Sequence, residues 1–195
     1  MQYSDWLALE KSIKKIQDRE RFHHTLGVMN TAACLAMVHG VDIEKARLAG
    51  LLHDCAKCEP ENDKKAAVCD KLGVEITEFE REHPQLIHGK LGAYYAKHRY
   101  HVEDPEVCTA IAFHTTGRPD MSVLEQIIFI ADYIEPDRKD APRLDEIRKE
   151  AFHNLNSCTE MIMSDTLAYL NRKSKCIDDL TRKAYEFYHK KGKSI

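Results

Sequence analysis

An imidazole and a carboxylate stand side by side in the run KARLAGLLHDCAK, at His53 and Asp54. Neighbours on a helix sit about 100° apart around its axis, so at a helix end such a pair can bracket one cation. Ala46, Gly50 and His53 stack at spacings of four and three into a small, polar face, while Leu48, Leu51, Leu52 and Cys55 point largely elsewhere. Two ligands are too few for a tight site. The remaining candidates are distant in the chain: His24 in RFHHTLGVMNTA, His88 in HPQLIHGKLGAY, His114 in AIAFHTTG and Asp132 in IIFIADYIEPDR. Asp132 is the most telling, because a carboxylate after the apolar run Ile127 to Ala131 is expensive to bury unless it is charge-paired or metal-bound. His114 likewise ends the apolar run Ala110 to Phe113. Imidazole nitrogens with carboxylate oxygens suit iron, manganese, zinc or nickel better than calcium. Taken singly, a histidine on an apolar helix face is more often a core residue bonded to backbone, so the weight rests on the set.

Elements able to carry these residues follow from start and stop signals. Apolar residues recur at spacings of three and four, and alternating β-branched runs are scarce, so the chain reads as all-α. Ser4 is placed to cap a helix to about residue 17; a second helix runs from about 19 to 39 and stops at Gly40. Asp42 caps a third ending near Asp54, and Asn62 a fourth ending near Gly73. Pro84 suits the start of a helix to about residue 99, and Asp104-Pro105 opens another that ends before Gly117. Ser122 with Glu125 forms a capping box for VLEQIIFIADYI, and residues 142 to 190 read as two or three amphipathic helices. His24, His53, His88, His114 and Asp132 thus fall on separate helices.

At 195 residues and 43% hydrophobic, the chain can bury one core, and a single domain over 1–195 is expected. No window approaches the roughly eighteen consecutive apolar residues of a membrane span, and MQYSDWLALEKS lacks the features of a secretory signal. A soluble, cytoplasmic protein is expected. Seven scattered cysteines argue against a disulfide framework, and the CxxC pair Cys55 and Cys58 lacks the second pair a structural zinc site needs. A net charge of −3 with interspersed signs gives no case for nucleic acid or a membrane surface.

The words RFHHTLGVMNTA, LLHDCAK, HGKLGAYYA, AIAFHTTGRPDMSVLEQIIFIADYIEPDR and, more loosely, SDTLAYLNRK resemble those of the HD-domain phosphohydrolases, and within them the YqeK-type symmetrical hydrolases of dinucleoside tetraphosphates. The resemblance implies a helical bundle with a metal site in its core. It also implies His24, His53, Asp54 and Asp132 as metal ligands, one or two ions that are usually iron, and His88 and His114 facing the substrate phosphates or a second metal. The implied activity splits diadenosine tetraphosphate into two ADP. Catalysis would fall to Asp54, His88, His114 and Lys57, and substrate binding to His24, His88, His114, Thr115, Asp132 and Arg138. Lys57 lies one turn beyond the HD pair and Arg138 follows the Asp132 helix; Arg118 and Arg21 are secondary phosphate-binding candidates. The pattern HGxxGA favours His88 over His83, and the family word favours His24 over His23. Tyr94, Tyr95 and Tyr133 are candidates to line the pocket. The partner is then a nucleotide, and the C-terminal helices are able to support a homodimer. The alternatives are a nucleotidase acting on deoxynucleoside monophosphates, a non-catalytic nucleotide-binding module, and a purely structural bundle.

Overall fold

A computed structural model describes residues 3–173 and 175–192, and among them there are eleven α-helices, one short 3-10 helix and no strand. The helices are α1 (Tyr3–Ile16), α2 (Arg19–His39), α3 (Ile43–Leu52), α4 (Asn62–Leu72), α5 (Glu78–Glu82), α6 (His88–His98), α7 (Pro105–Phe113), α8 (Val123–Ile134), α9 (Leu144–Ala151), α10 (Leu155–Arg172) and α11 (Asp179–Gly192). The 3-10 helix spans Pro84–Leu86. The all-α expectation is met.

Local chemistry accounts for most boundaries. Asp18 accepts from the Arg21 N–H and Asp42 from those of Glu44 and Lys45, so each carboxylate satisfies amides at its helix start. Asp104 does the same before Pro105, and the Ser122/Glu125 capping box forms in both directions. Gly40 closes α2 in the left-handed conformation.

Other expectations need correction. Ser4 lies inside α1 rather than ahead of it. Glu61, not Asn62, holds the cap position of α4, because the Asn62 Oδ1 accepts instead from the buried ammonium of Lys65 at 2.7 Å. That ammonium also bonds the Lys57 carbonyl at 3.1 Å and so pins the turn after the HD pair. Pro84 starts only a 3-10 turn, and the α-helix proper begins at His88. α5, with its own Thr77/Glu80 capping box, went unforeseen. The third helix ends at Leu52, which leaves His53 and Asp54 on the tight turn that follows.

The core is organised around α8, whose residues Leu124, Ile127, Ile128, Ile130 and Ala131 are fully buried. It packs against α2, α3, α7, α9 and α10, while α11 packs on α10. A smaller apolar cluster of Ala56, Cys69, Ile87 and Leu91 joins α4 and α6 beneath the HD turn. The seven cysteines are free, and burial pushes the Cys55 thiol far above its usual range, so the CxxC pair is not a poised redox couple. No helix among the described residues is long and apolar enough to cross a membrane.

Candidate metal centre

Four helix ends deliver imidazoles and carboxylates to one place. His53 and His114 cap the C-termini of α3 and α7, His88 is the first residue of α6, and Asp132 lies in the last turn of α8. His24 reaches them from α2. The C-terminal ends of α3 and α7 carry partial negative charge, which favours a cation between them.

Three of the rings are oriented by the same device. Nδ1 of His53 lies 2.7 Å from the Gly50 carbonyl, that of His88 2.6 Å from Gln85, and that of His114 2.7 Å from Ile111. A carbonyl can only accept, so each Nδ1 carries the proton and each Nε2 turns a lone pair towards the centre. Glu135 treats His24 alike, its Oε1 lying 3.2 Å from Nδ1. In the neutral ring the His24 Nε2 therefore turns a lone pair to Asp132 Oδ1 at 3.0 Å.

Asp54 is nearly solvent-free. Its Oδ1 lies 3.2 Å from His88 Nε2 and 3.6 Å from His114 Nε2, while Oδ2 lies 3.5 Å from His53 Nε2. The Nε2 atoms of His88 and His114 are 3.1 Å apart. Lone pairs facing lone pairs at these distances repel unless positive charge lies among them. The buried atoms His24 Nε2, His53 Nε2 and Asp54 Oδ1 have no hydrogen-bond partner, and a cation is what would satisfy all three. Two ligand triads are close enough to hold an ion, His24/His53/Asp132 and His53/Asp54/His114, and they share His53. The donor set suits a divalent transition metal. All six residues singled out in the sequence thus converge.

Burial alone would raise the Asp54 carboxyl, but the imidazoles of His53, His114 and His88 packed around it hold it well below its usual range. Burial also opposes ionisation of Asp132, yet the imidazoles of His24, His53 and His114 beside it depress its pKa. For the metal-free protein the pH response has a definite sign. Burial depresses His88 to about 4, so the unfolded chain takes up a proton that the folded chain refuses, and stability falls between about pH 6.5 and 4. His24 moves the other way: burial lowers it, but the carboxylates of Asp132 and Glu135 beside its two ring nitrogens leave it raised. Its contribution is full below about pH 6.5 and is lost as pH rises through the folded value. The thermal midpoint of chelator-treated protein should therefore peak near pH 6.5; a midpoint that climbs as pH falls to 4 would contradict this.

Around the cluster, Lys57 Nζ lies 3.3 Å from His88 Nε2, and the Thr115 hydroxyl is 3.2 Å from His88 Nε2 and 3.1 Å from that of His114. Arg138 donates to the Asp132 carbonyl at 2.8 Å. Of the secondary candidates, Arg21 belongs to the site, pairing with Asp54 Oδ2 at 2.8 Å. Arg118 does not, because Glu125 takes its guanidinium in a bidentate pair at 2.6 and 2.7 Å. His83 bonds the Phe79 carbonyl and stacks on the Phe79 ring, and Tyr94 packs on His98. Tyr133 lines a cavity of about 590 Å³ beside the cluster, with Phe129, Met163 and Tyr169; Tyr94 and Tyr95 do not.

Glu135 was missed. Its signal was present, three residues after Asp132 and hence one turn along the same strip of chain. A Cβ at Gly27 would meet the Glu135 Oε2 at 2.7 Å, so the bare backbone of α2 leaves room for the carboxylate that orients His24. Glu135→Gln keeps the volume and removes the charge. It should weaken metal affinity by about 10- to 100-fold in a competitive chelator titration; unchanged affinity would reduce Glu135 to packing.

The HD domain model matches residues 21–137, a span that contains all six converging residues. The chain is 40% identical over 165 residues to "Bis(5′-nucleosyl)-tetraphosphatase, symmetrical" of Halalkalibacterium halodurans, covering 85% of this chain and 87% of the relative. It is 37% identical to the Bacillus subtilis protein of the same name, over 84% and 86% of the two chains. The crystal structure of a predicted HD superfamily hydrolase involved in NAD metabolism from Clostridium acetobutylicum superposes with a TM-score of 0.91 at 38% identity, covering 95% of this chain and 97% of the other.

Proposed function

The chain belongs to the HD domain family, and from that premise we propose that it hydrolyses dinucleoside tetraphosphates symmetrically, turning diadenosine tetraphosphate into two ADP. The observation that carries this reading is the cluster of proton-free imidazole nitrogens and carboxylate oxygens at the rim of a nucleoside-sized cavity. The two relatives named as symmetrical tetraphosphatases support the choice of substrate.

In this reading His24, His53, Asp54 and Asp132 hold the metal, with His88 and His114 beside Asp54. A bound divalent metal would supply positive charge against the phosphates and acidify water. Iron is the metal favoured by the resemblance; manganese, zinc and nickel fit the same donors. The protein's own groups do the rest. Lys57, Arg21 and Arg138 offset the negative charge of the bridge, and the Thr115 hydroxyl positions a phosphate oxygen beside His88 and His114. Phe129, Tyr133, Met163 and Tyr169 hold one nucleoside, which places the centre of the bridge over the cluster. All these groups come from one chain, so a homodimer is not required. The small negative net charge supports a small-molecule partner over nucleic acid or a membrane, and seven free thiols support a cytoplasmic location. A single functional domain over 1–195 completes the reading.

The test uses protein purified without chelator, analysed for metal and incubated with diadenosine tetraphosphate and, separately, with deoxynucleoside monophosphates. ADP as sole product, lost on chelation, is expected. Phosphate released from monophosphates with the tetraphosphate untouched would make it a nucleotidase, and binding without turnover a sensing module.

A further inference from the structure

Two cavities, only one of which has aromatic and aliphatic walls, border the cluster. The first, described above, is walled by His114, Thr115 and Asp132 on the cluster side, by charged side chains of the segment Glu135 to Asp140 along one edge, and by Phe129, Tyr133, Ile162, Met163 and Tyr169 beyond. The second, about 740 Å³, opens on the other side of His24, between the start of α2 and residues 135–139. Every residue lining it is Asp, Glu, Arg, Lys or His, and no aliphatic side chain, Phe, Tyr or Trp contributes. Its one imidazole outside the cluster, His23, is tied to Asp137 at 2.7 Å with its side chain 73% exposed. Glu135, Asp137, Arg138 and Lys139 line both cavities, so the two are adjacent along that segment. Arg21 and Arg138 are engaged by Asp54 and Asp132, whereas Arg19 and Lys139 make no ion pair among the described residues.

A substrate straddling this seam puts one nucleoside in the cavity with aromatic walls and sends its other half into a groove of charged and imidazole side chains with no aliphatic, Phe, Tyr or Trp wall for a base. We propose that the protein also cleaves nucleoside 5′-tetraphosphates, which lack the second nucleoside, releasing a nucleoside diphosphate and pyrophosphate. The inference rests on the symmetrical hydrolase reading and extends its substrate class. The bond broken is the same central anhydride, between the second and third phosphorus atoms from the nucleoside. The hydroxyl of one water ends on one of those two phosphorus atoms and the water's remaining proton passes to the departing oxygen or to solvent, so no further reactant is needed. The second nucleoside is a passenger here, and recognition of the distal half is by charge.

The experiment compares adenosine 5′-tetraphosphate with diadenosine tetraphosphate on one preparation of metal-loaded protein, with product identification. A base gripped by stacking contributes roughly 10- to 100-fold. With no grip, kcat/KM for the two substrates should agree within about tenfold, with ADP and pyrophosphate formed from the first. Arg19→Ala should raise KM more for adenosine tetraphosphate, whose distal end carries the additional terminal phosphate charge, than for diadenosine tetraphosphate. Cleavage of diadenosine tetraphosphate alone, or release of ATP and phosphate from adenosine tetraphosphate, would overturn this inference and leave the hydrolase reading standing. Cleavage of neither would overturn both.

Discussion

Asp54→Asn should abolish phosphohydrolysis while leaving the protein folded. The replacement is isosteric, so the packing of a side chain only 3% exposed is kept. The chemistry is not kept. Oδ1 lies 3.2 Å from His88 Nε2 and 3.6 Å from His114 Nε2, nitrogens whose protons are committed on their far sides. An amide there would donate into those lone pairs and satisfy them without a cation, and with Oδ2 the charge partner of Arg21 also disappears. If metal charge stabilisation is worth about 4 kcal/mol, kcat falls on the order of 10³-fold. Steady-state kinetics with diadenosine tetraphosphate, paired with metal content per chain, reads both effects. Full activity with retained metal would sink the site.

The second large effect falls on stability and lies one turn before the HD pair. A Cβ on Gly50 would stand 2.8 Å from the Met29 Cα and 3.1 Å from the Met29 nitrogen. Both are backbone atoms of α2, so no side chain can rotate away and α2 and α3 must separate. Overpacking of this kind costs about 3 kcal/mol. For a chain of this size each kcal/mol moves the thermal midpoint by about 2–4 °C, so Gly50→Ala should lower it by roughly 6–12 °C. Function suffers by the same displacement, because the Gly50 carbonyl holds His53 Nδ1 at 2.7 Å and the ring moves with it. Thermal unfolding with and without metal checks this. A midpoint within a degree of the parent would mean that the helices do not meet so closely.

Legibility in the sequence divided along the range of the interactions. Asp18, Asp42, Asp104 and the Ser122/Glu125 box each bond amides two or three residues away, so their helix starts could be read locally. Asn62 is the local exception: the buried Lys65 ammonium three residues on, itself held by the Lys57 carbonyl after the HD turn, draws its side chain off the helix start. Glu135 escaped notice because what gives it meaning is His24, 111 positions earlier in the chain. Arg118 and Arg21 looked equivalent as sequence. Glu125 on the following helix neutralises one, and Asp54 draws the other into the site.

The residue types and their order, His24, His53-Asp54, His88, His114 and Asp132, determined by themselves that a transition-metal centre was chemically available on a helical scaffold. Tertiary structure decided what no spacing encodes: that four helix ends meet closely enough for proton-free nitrogens to oppose carboxylates, and that a cavity with aromatic walls and a charged groove border that point. The physical reason is that ligand type is a property of one side chain, whereas the repulsion that calls for a cation exists only once distant side chains are packed within a few ångströms of one another.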